Sequence, residues 1–370
     1  MRVSKLDGLR GILCLIVVLY HFSPVLVPRI VYDNVFLRQS RCFVDFFFVL
    51  SGYVITVNYD ATLNSTNEFI TYIKKRFIRI YPLLLFTTLM VLCYELIYNN
   101  FLLQYIKPAH QSPTTNLFSR TLDTLFFTSS TPILGAEFGM NIPSWSVSSE
   151  MISYLVFGLV ALVSFGRNRN LLILLIILFT AIYSFYTKQY FSTSSNGFIR
   201  GLICFNMGYF VYKFSDYPIK INKHIEIVIF ALLAVILYQL SQIESKEGQE
   251  LFGLFVVPIF FSIVIFILLK TNGIISKILE TRPFRFLGEI SYSIYLNHIV
   301  VIYVFPDFIF LVLKALNIQP NIFTNVATIL LCFVIILIGS NYTQKLVEKK
   351  GSKFLNSLLF KKNKPIYILP

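Results

Sequence analysis

An arginine and a histidine stand eleven residues apart at the two ends of the first apolar segment. At ~100° per residue, eleven residues make roughly three turns of an α-helix, so Arg10 and His21 share one stripe. The helical rise separates them by ~16 Å. A permanent cation followed by an imidazole suits an elongated anionic ligand whose reactive end lies near His21. The spacing also fits a simpler interpretation, in which Arg10 anchors the helix and His21 caps a carbonyl.

Three further positions carry charge or small polar groups next to apolar runs. Arg76 and Arg79 are three residues apart and share a helix face. Their guanidinium groups are suited to bind phosphates in a bidentate manner, although a bias of basic residues toward one membrane side explains them equally well. Asp45 opens an apolar segment, and we expect it to pair with an arginine of its own or another helix. Ser51 and Gly52 follow it and are interpreted as packing residues.

An acidic residue, Glu150, lies about one turn inside the apolar segment that begins near residue 143. A histidine–carboxylate pair in a medium of low dielectric constant gives the imidazole the orientation of a general base, so Glu150 is predicted to orient His21. Trp145 and Ser146 precede Glu150, and Trp145 also fits the aromatic belt of membrane helices. His298 stands in the middle of a later apolar segment, where it is either structural or functional.

These residues belong to a chain of 370 residues, of which 56% are hydrophobic and 14% are charged. Because soluble domains carry about 25% charged residues, a soluble enzyme, a disordered chain and a disulfide scaffold are excluded. The sequence predicts an all-α polytopic membrane protein with about ten transmembrane helices. The predicted spans are 11–28, 42–59, 79–98, 143–165, 170–187, 199–213, 225–242, 250–269, 289–312 and 324–343.

The distribution of basic residues predicts that both termini are cytoplasmic. With the N-terminus inside, 23 of the 32 Lys and Arg residues fall in cytoplasmic segments. We predict one transmembrane domain over 1–344, a basic tail over 345–370 on the anionic inner leaflet, and an outer loop with a short helix near 117–127. The net charge of +14 then reflects topology, and no basic stretch has the interleaved aromatics that nucleic-acid binding requires. The five cysteines show no metal-ligand spacing, so no metal is expected.

Six features together resemble the acyltransferase 3 family of integral-membrane O-acyltransferases. They are Leu6-Asp7-Gly8-Leu9-Arg10-Gly11, the Arg10–His21 spacing, Val44-Asp45-Phe46-Phe47-Phe48-Val49-Leu50-Ser51-Gly52, Arg76-Phe77-Ile78-Arg79-Ile80-Tyr81-Pro82, Trp145-Ser146-Val147-Ser148-Ser149-Glu150 and Ser291-Tyr292-Ser293-Ile294-Tyr295-Leu296-Asn297-His298. The match runs from Leu6 to about Thr343. One departure is Met151, which stands where many relatives have a second acid. Some polysaccharide-modifying relatives also lack this acid.

The resemblance implies an enzyme of a bacterial inner membrane that moves an acetyl group from cytosolic acetyl-CoA to a hydroxyl of a cell-surface carbohydrate, such as the O-antigen of lipopolysaccharide, capsule, peptidoglycan or a related glycan. The positions it marks as functional are Arg10, His21, Arg76, Arg79 and Glu150. With the residue chemistry above, the arginines would bind the donor phosphates, and His21 would deprotonate the acceptor or carry the acyl group. The residues expected at the acceptor side are Asp45, Trp145, Ser146 and His298.

Two other functions fit buried charges in a many-helix membrane protein. A transporter or flippase of a lipid-linked sugar would show a repeat between the two halves of the chain with matching broken helices, and no repeat is visible. A structural membrane subunit would tolerate the loss of Arg10, His21 and Glu150. We expect thioester hydrolysis with acetyl-CoA to separate an enzyme from both.

Overall fold

The computed structural model describes residues 3–22, 26–102, 116–134, 139–164 and 168–360. Within these ranges the chain forms helices, turns and bends and contains no β-strand. The prediction of an all-α fold is therefore confirmed. Residues 23–25 of the predicted span 11–28, and residue 165 of the predicted span 143–165, lie outside the described residues.

Ten long helices form the bundle within the described residues. They are α1 Ser4–Tyr20, α2 Phe43–Tyr59, α3 Thr66–Ile97, α4 Ser144–Ser164, α5 Arg169–Thr187, α6 Gly197–Ser215, α7 Ile225–Gln242, α8 Lys246–Lys270, α9 Arg282–Ala315 and α10 Ile322–Thr343. Shorter helices cover Arg29–Tyr32, Val35–Arg38, Ser40–Cys42, Leu117–Leu125 and Ile274–Leu279. The helix at Leu117–Leu125 confirms the short helix predicted in the longest loop.

Eight of the ten long helices in the described part of the chain are long and apolar enough to cross a membrane. The other two are α1, which has 17 residues, and α6, which contains Arg200, Asn206 and Lys213. Apolar side chains are exposed on the peripheral helices, as in α5, where Phe179 is 75% exposed. Because water would not stabilise such a surface, the helices indicate a multi-pass integral membrane protein.

The first predicted span was placed about seven residues too late. Helix α1 begins at Ser4 rather than at residue 11, and it ends at Tyr20 rather than at residue 28. The prediction followed the apolar run, whereas the helix also includes a polar first turn. Asp7 and Arg10 pair with each other at 3.3 Å, three residues apart on the helix, and this pair makes the polar turn compatible with a packed helix.

Helices α1 and α9 lie side by side and run in the same direction. Arg10 contacts Gly288 and Cys14 contacts Ser291, so the sequence offset between partners is almost constant along the pair. The approach is close, because a Cβ added to Gly11 would lie 2.7 Å from the Gly288 nitrogen. Small residues at this crossing allow the backbones to meet, as is common between membrane helices.

The C-terminal helix does not end where the predicted domain ends. Helix α10 continues through a π-helical segment, Gln344–Lys349, into a further helix, α11 Lys350–Leu359. This continuation packs on α3, where the Ser352 hydroxyl donates to the Ile78 carbonyl at 2.9 Å. Residues 345–359, predicted as a basic tail on the leaflet surface, thus form part of the helical body, and residues 361–370 lie outside the described ranges.

Candidate active site

A cavity of about 680 Å³ opens between α1, α2, α3, α4, α9 and the C-terminal helical segment. The charged side chains in its wall are Asp7, Arg10, Arg76, Arg79, Glu150, Glu289, Glu348, Lys349 and Lys353. The tertiary structure therefore brings together four charged residues predicted at the site, Arg10, Arg76, Arg79 and Glu150, which come from three distant parts of the sequence. Ser146, also predicted at the site, lines the same cavity.

Arg10 is held by α9 and by its own helix, α1. Its Nη2 atom donates to the Gly288 carbonyl at 2.7 Å and lies 3.3 Å from the Asp7 carboxylate. Its Nε atom is buried and has no hydrogen-bond partner among the described residues. Since an unmade hydrogen bond from a buried charged group costs about 1–3 kcal/mol or more, this donor is suited to an anionic ligand in the cavity.

Arg76 and Arg79 enter the cavity from α3, and their partners differ. Arg76 donates to the Tyr59 hydroxyl at 3.0 Å, and its buried Nε has no partner in the part of the chain that the structure describes. Arg79 forms an ion pair with Glu348 and stacks at 5.4 Å from the Tyr292 ring. The Nε donor of Arg76 thus remains available to a ligand, whereas the charge of Arg79 is partly neutralised by Glu348.

The Glu150 carboxylate faces α2. It accepts hydrogen bonds from Ser51 and from Tyr154, one turn further along α4. The predicted contact between Glu150 and His21 is not formed, because the carboxylate points to the cavity wall made by α2 and α4. Ser51, interpreted from the sequence as a packing residue, lines the cavity through this hydrogen bond.

His21 caps the C-terminal end of α1, on the helix that also carries Arg10. Its Nδ1 atom lies 2.8 Å from the Val17 carbonyl. Its ring lies 4.9 Å from the ring of His298 on α9, measured between centroids. This contact continues the α1–α9 pairing that Arg10 and Gly288 begin, so His21 points toward the neighbouring helix.

His298 connects His21 with the cavity. It is fully buried, its Nδ1 lies 3.3 Å from the Ile294 carbonyl, and its Nε2 has no hydrogen-bond partner among the described residues. Its ring lies 5.9 Å from that of Tyr295, which lines the cavity. Neither histidine belongs to the cavity wall itself. The lining of the cavity therefore includes Tyr295, the Tyr295 ring contacts His298, and the His298 ring contacts His21.

Two residues expected at the acceptor side are buried away from the cavity. Asp45 is 0% exposed and forms a bidentate ion pair with Arg200 of α6, with N–O distances of 2.5 and 2.8 Å. Trp145 is 6% exposed, and the Arg200 guanidinium lies 5.6 Å from its ring. Neither residue lines the cavity. The Asp45 carboxylate is buried in the core, where it requires an opposite charge, and Arg200 supplies it. The Trp145 ring covers the Arg200 guanidinium.

Sequence reasoning missed the polar residues that complete the cavity. Tyr295 hydrogen-bonds to Ser146 at 2.9 Å, and Glu348 accepts from Ser293 at 2.9 Å as well as pairing with Arg79. Tyr295 lies within the motif that ends at His298, which was a usable signal. Glu348 gave no such signal, because it is one acid in a basic segment and its partners are far away in the sequence.

Comparison with known proteins identifies the family of the chain. The family described as an acyltransferase domain matches residues 3–341, and the chain belongs to this family. It is 25% identical to the peptidoglycan O-acetyltransferase OatA of Listeria monocytogenes over 399 aligned positions, covering 98% of this chain and 60% of that protein. It is 24% identical to the O-acetyltransferase OatA of Staphylococcus aureus, covering 97% of this chain and 59% of that protein.

The chain thus spans about three-fifths of the length of these curated relatives. No solved structure matches it.

Proposed function

We propose that this protein is a membrane O-acetyltransferase that moves an acetyl group from cytosolic acetyl-CoA to a hydroxyl of a cell-envelope glycan. The observation that carries the proposal is the convergence of Arg10, Arg76 and Arg79 on one cavity, with buried Nε donors of Arg10 and Arg76 lacking partners among the described residues. The family of the chain and the names of its relatives support the same reaction.

The cavity suits the phosphate end of the donor. Guanidinium groups bind phosphate oxygens in a bidentate manner and remain charged at every accessible pH. Asp7 and Glu348 hold Arg10 and Arg79 in place, so the side chains need little reorganisation when the ligand enters. Pre-arranged side chains lose less conformational entropy on binding, which favours affinity.

The transfer end of the site lies where the cavity meets Tyr295. The Nδ1 atom of His21 is hydrogen-bonded to the Val17 carbonyl, which can only accept, so Nδ1 carries the proton of the neutral ring. Nε2 is then the ring nitrogen that can accept a proton. His21 would take the proton of the acceptor hydroxyl, or carry the acetyl group in transit, at the end of the row formed by Tyr295, His298 and His21. In both routes the thioester carbon–sulfur bond breaks, a carbon–oxygen bond forms to the acceptor, and the proton ends on the coenzyme A sulfur.

The topology gives this arrangement a direction. With α1 and α6 counted as spans, ten helices cross the membrane and both termini are cytoplasmic, which follows the bias of Lys and Arg. The amino end of α1, with Arg10, then faces the cytosol, and His21 lies toward the opposite side. The donor would enter from the cytosol of a bacterial plasma membrane, and the acceptor would approach from outside.

The names of the relatives support the acceptor class that we propose. One of them is named as a peptidoglycan O-acetyltransferase. We therefore propose an envelope glycan as the acceptor, with peptidoglycan ahead of the O-antigen and capsule glycans considered above.

Purified protein in lipid nanodiscs provides the direct test. We expect release of free coenzyme A thiol from acetyl-CoA, accelerated by a glycan acceptor, and acetylation of that glycan measured by mass spectrometry. The Arg10→Ala and His21→Ala variants should lose this activity, whereas Lys188→Ala, which removes an exposed ion pair with Glu247, should keep it. A wild-type protein that neither releases thiol nor acetylates any glycan would refute the proposal.

A further inference from the structure

The segment after α10 is anchored in the wall of the donor cavity. Glu348 pairs with Arg79 and accepts from Ser293, so it joins α3 and α9. One turn later, a Cβ added to Gly351 would lie 2.7 Å from the Pro82 side chain of α3. These contacts hold the segment in one position relative to the cavity.

Two lysines of this segment, Lys349 and Lys353, line the cavity. They are four residues apart in the sequence, so they lie on one face of the helical segment, ~6 Å apart along its axis. Both are exposed, and neither forms an ion pair within the described residues. They therefore add two cations at the solvent side of a cavity whose deeper cations are arginines.

Three of the four carboxylates of the cavity have partners other than these lysines. Asp7 pairs with Arg10, Glu348 pairs with Arg79, and the Glu150 carboxylate accepts hydrogen bonds from two hydroxyl groups. Glu289 also lines the cavity, and its backbone carbonyl accepts from Gln344. The five basic and four acidic side chains of the cavity leave its lining with a net positive formal charge, which attracts an anion.

We propose that Lys349 and Lys353 bind phosphate groups of the acyl donor, so that the segment after the last span is part of the donor site. This inference rests on the proposed function, because it takes acetyl-CoA as the donor. The two lysines contact the outermost phosphates, and the arginines contact those that lie deeper. The acetyl-bearing arm carries no charge and extends past them toward Tyr295.

The test compares two double variants that remove equal charge from the same helix. Lys349→Ala/Lys353→Ala removes the cavity lysines, and Lys345→Ala/Lys350→Ala removes two exposed lysines that do not line the cavity. Initial rates of thiol release are measured against acetyl-CoA concentration in nanodiscs. We expect KM for acetyl-CoA to rise about 5- to 30-fold in the cavity variant with kcat almost unchanged, and to change less than about twofold in the control.

A second donor separates phosphate binding from a structural effect. S-acetyl-pantetheine carries the same thioester and no phosphate, so the cavity variant and the wild type should use it equally well. The conservative variant Lys349→Arg/Lys353→Arg should keep a KM for acetyl-CoA close to that of the wild type. Higher salt should raise the KM of the wild type more than that of the alanine variant.

Each outcome has one meaning. If the wild type uses acetyl-CoA and the cavity variant behaves like the control, the inference is wrong and the proposed function stands. If the cavity variant loses rate equally with both donors, the lysines are structural and the inference is again wrong. If the wild type does not use acetyl-CoA at all, the proposed donor is wrong, and the inference that rests on it fails as well.

Discussion

Replacement of Asp45 by asparagine tests whether this residue stabilises the fold or contacts the substrate. Asp45 and Arg200 are 0% and 1% exposed, and their two N–O contacts measure 2.5 and 2.8 Å. The Tyr190 hydroxyl donates to the same carboxylate at 3.1 Å. Asp45→Asn keeps the shape of the side chain and leaves the Arg200 charge without a counter-charge in the core.

The expected loss follows from the cost of an uncompensated buried charge. Breaking a buried ion pair by removing one partner costs about 3–5 kcal/mol. Folded proteins are stable by only about 5–15 kcal/mol, so the variant should lose a large part of its stability. By contrast, Lys188→Ala breaks an exposed pair with Glu247 and should cost about 0–1 kcal/mol.

The assay is thermal unfolding of detergent-solubilised protein, followed by size-exclusion fluorescence, with activity measured below the transition. We expect Asp45→Asn to unfold at a clearly lower temperature than Lys188→Ala. The double variant Asp45→Leu/Arg200→Met should recover part of the loss, because it removes both charges together. An Asp45→Asn protein that unfolds like the wild type but has lost acceptor turnover would refute this reasoning and return Asp45 to the acceptor site.

Three further predictions concern packing, charge and the row of rings. Gly52→Ala should prevent close packing of α2 on α6, because its Cβ would lie 1.9 Å from a backbone carbonyl oxygen, and the free energy of unfolding should fall by about 1–3 kcal/mol or more. Gly339→Ala, at a position with open space around it, is the matched control in the same unfolding assay. Glu348→Gln should raise KM for acetyl-CoA about two- to fivefold, since it removes the carboxylate that holds Arg79 in place, and a decrease in KM would contradict this. His298→Phe should fold normally in the unfolding assay yet lose most of kcat; unchanged thiol release would show that His298 only fills space.

The sequence alone determined the features that depend on local periodicity and composition. The apolar composition predicted a helical membrane protein. The helical period predicted that Arg10 and His21 share one helix, and in the structure α1 contains Arg10 and is capped by His21. Gly52 was correctly interpreted as a packing residue, since small residues in apolar segments commonly mark close helix contacts. These inferences hold because 3.6 residues per turn and hydropathy are properties of short segments.

The tertiary structure alone decided which charges meet. Asp45 pairs with Arg200, and Glu348 pairs with Arg79, across 155 and 269 residues of sequence. Glu150 contacts Ser51 rather than His21. A buried charge must find a partner, but its own segment does not specify which one, because the choice depends on how distant helices rotate and pack. For the same reason, only the packing of the helical segment after α10 against α3 makes Lys349 and Lys353 part of the cavity.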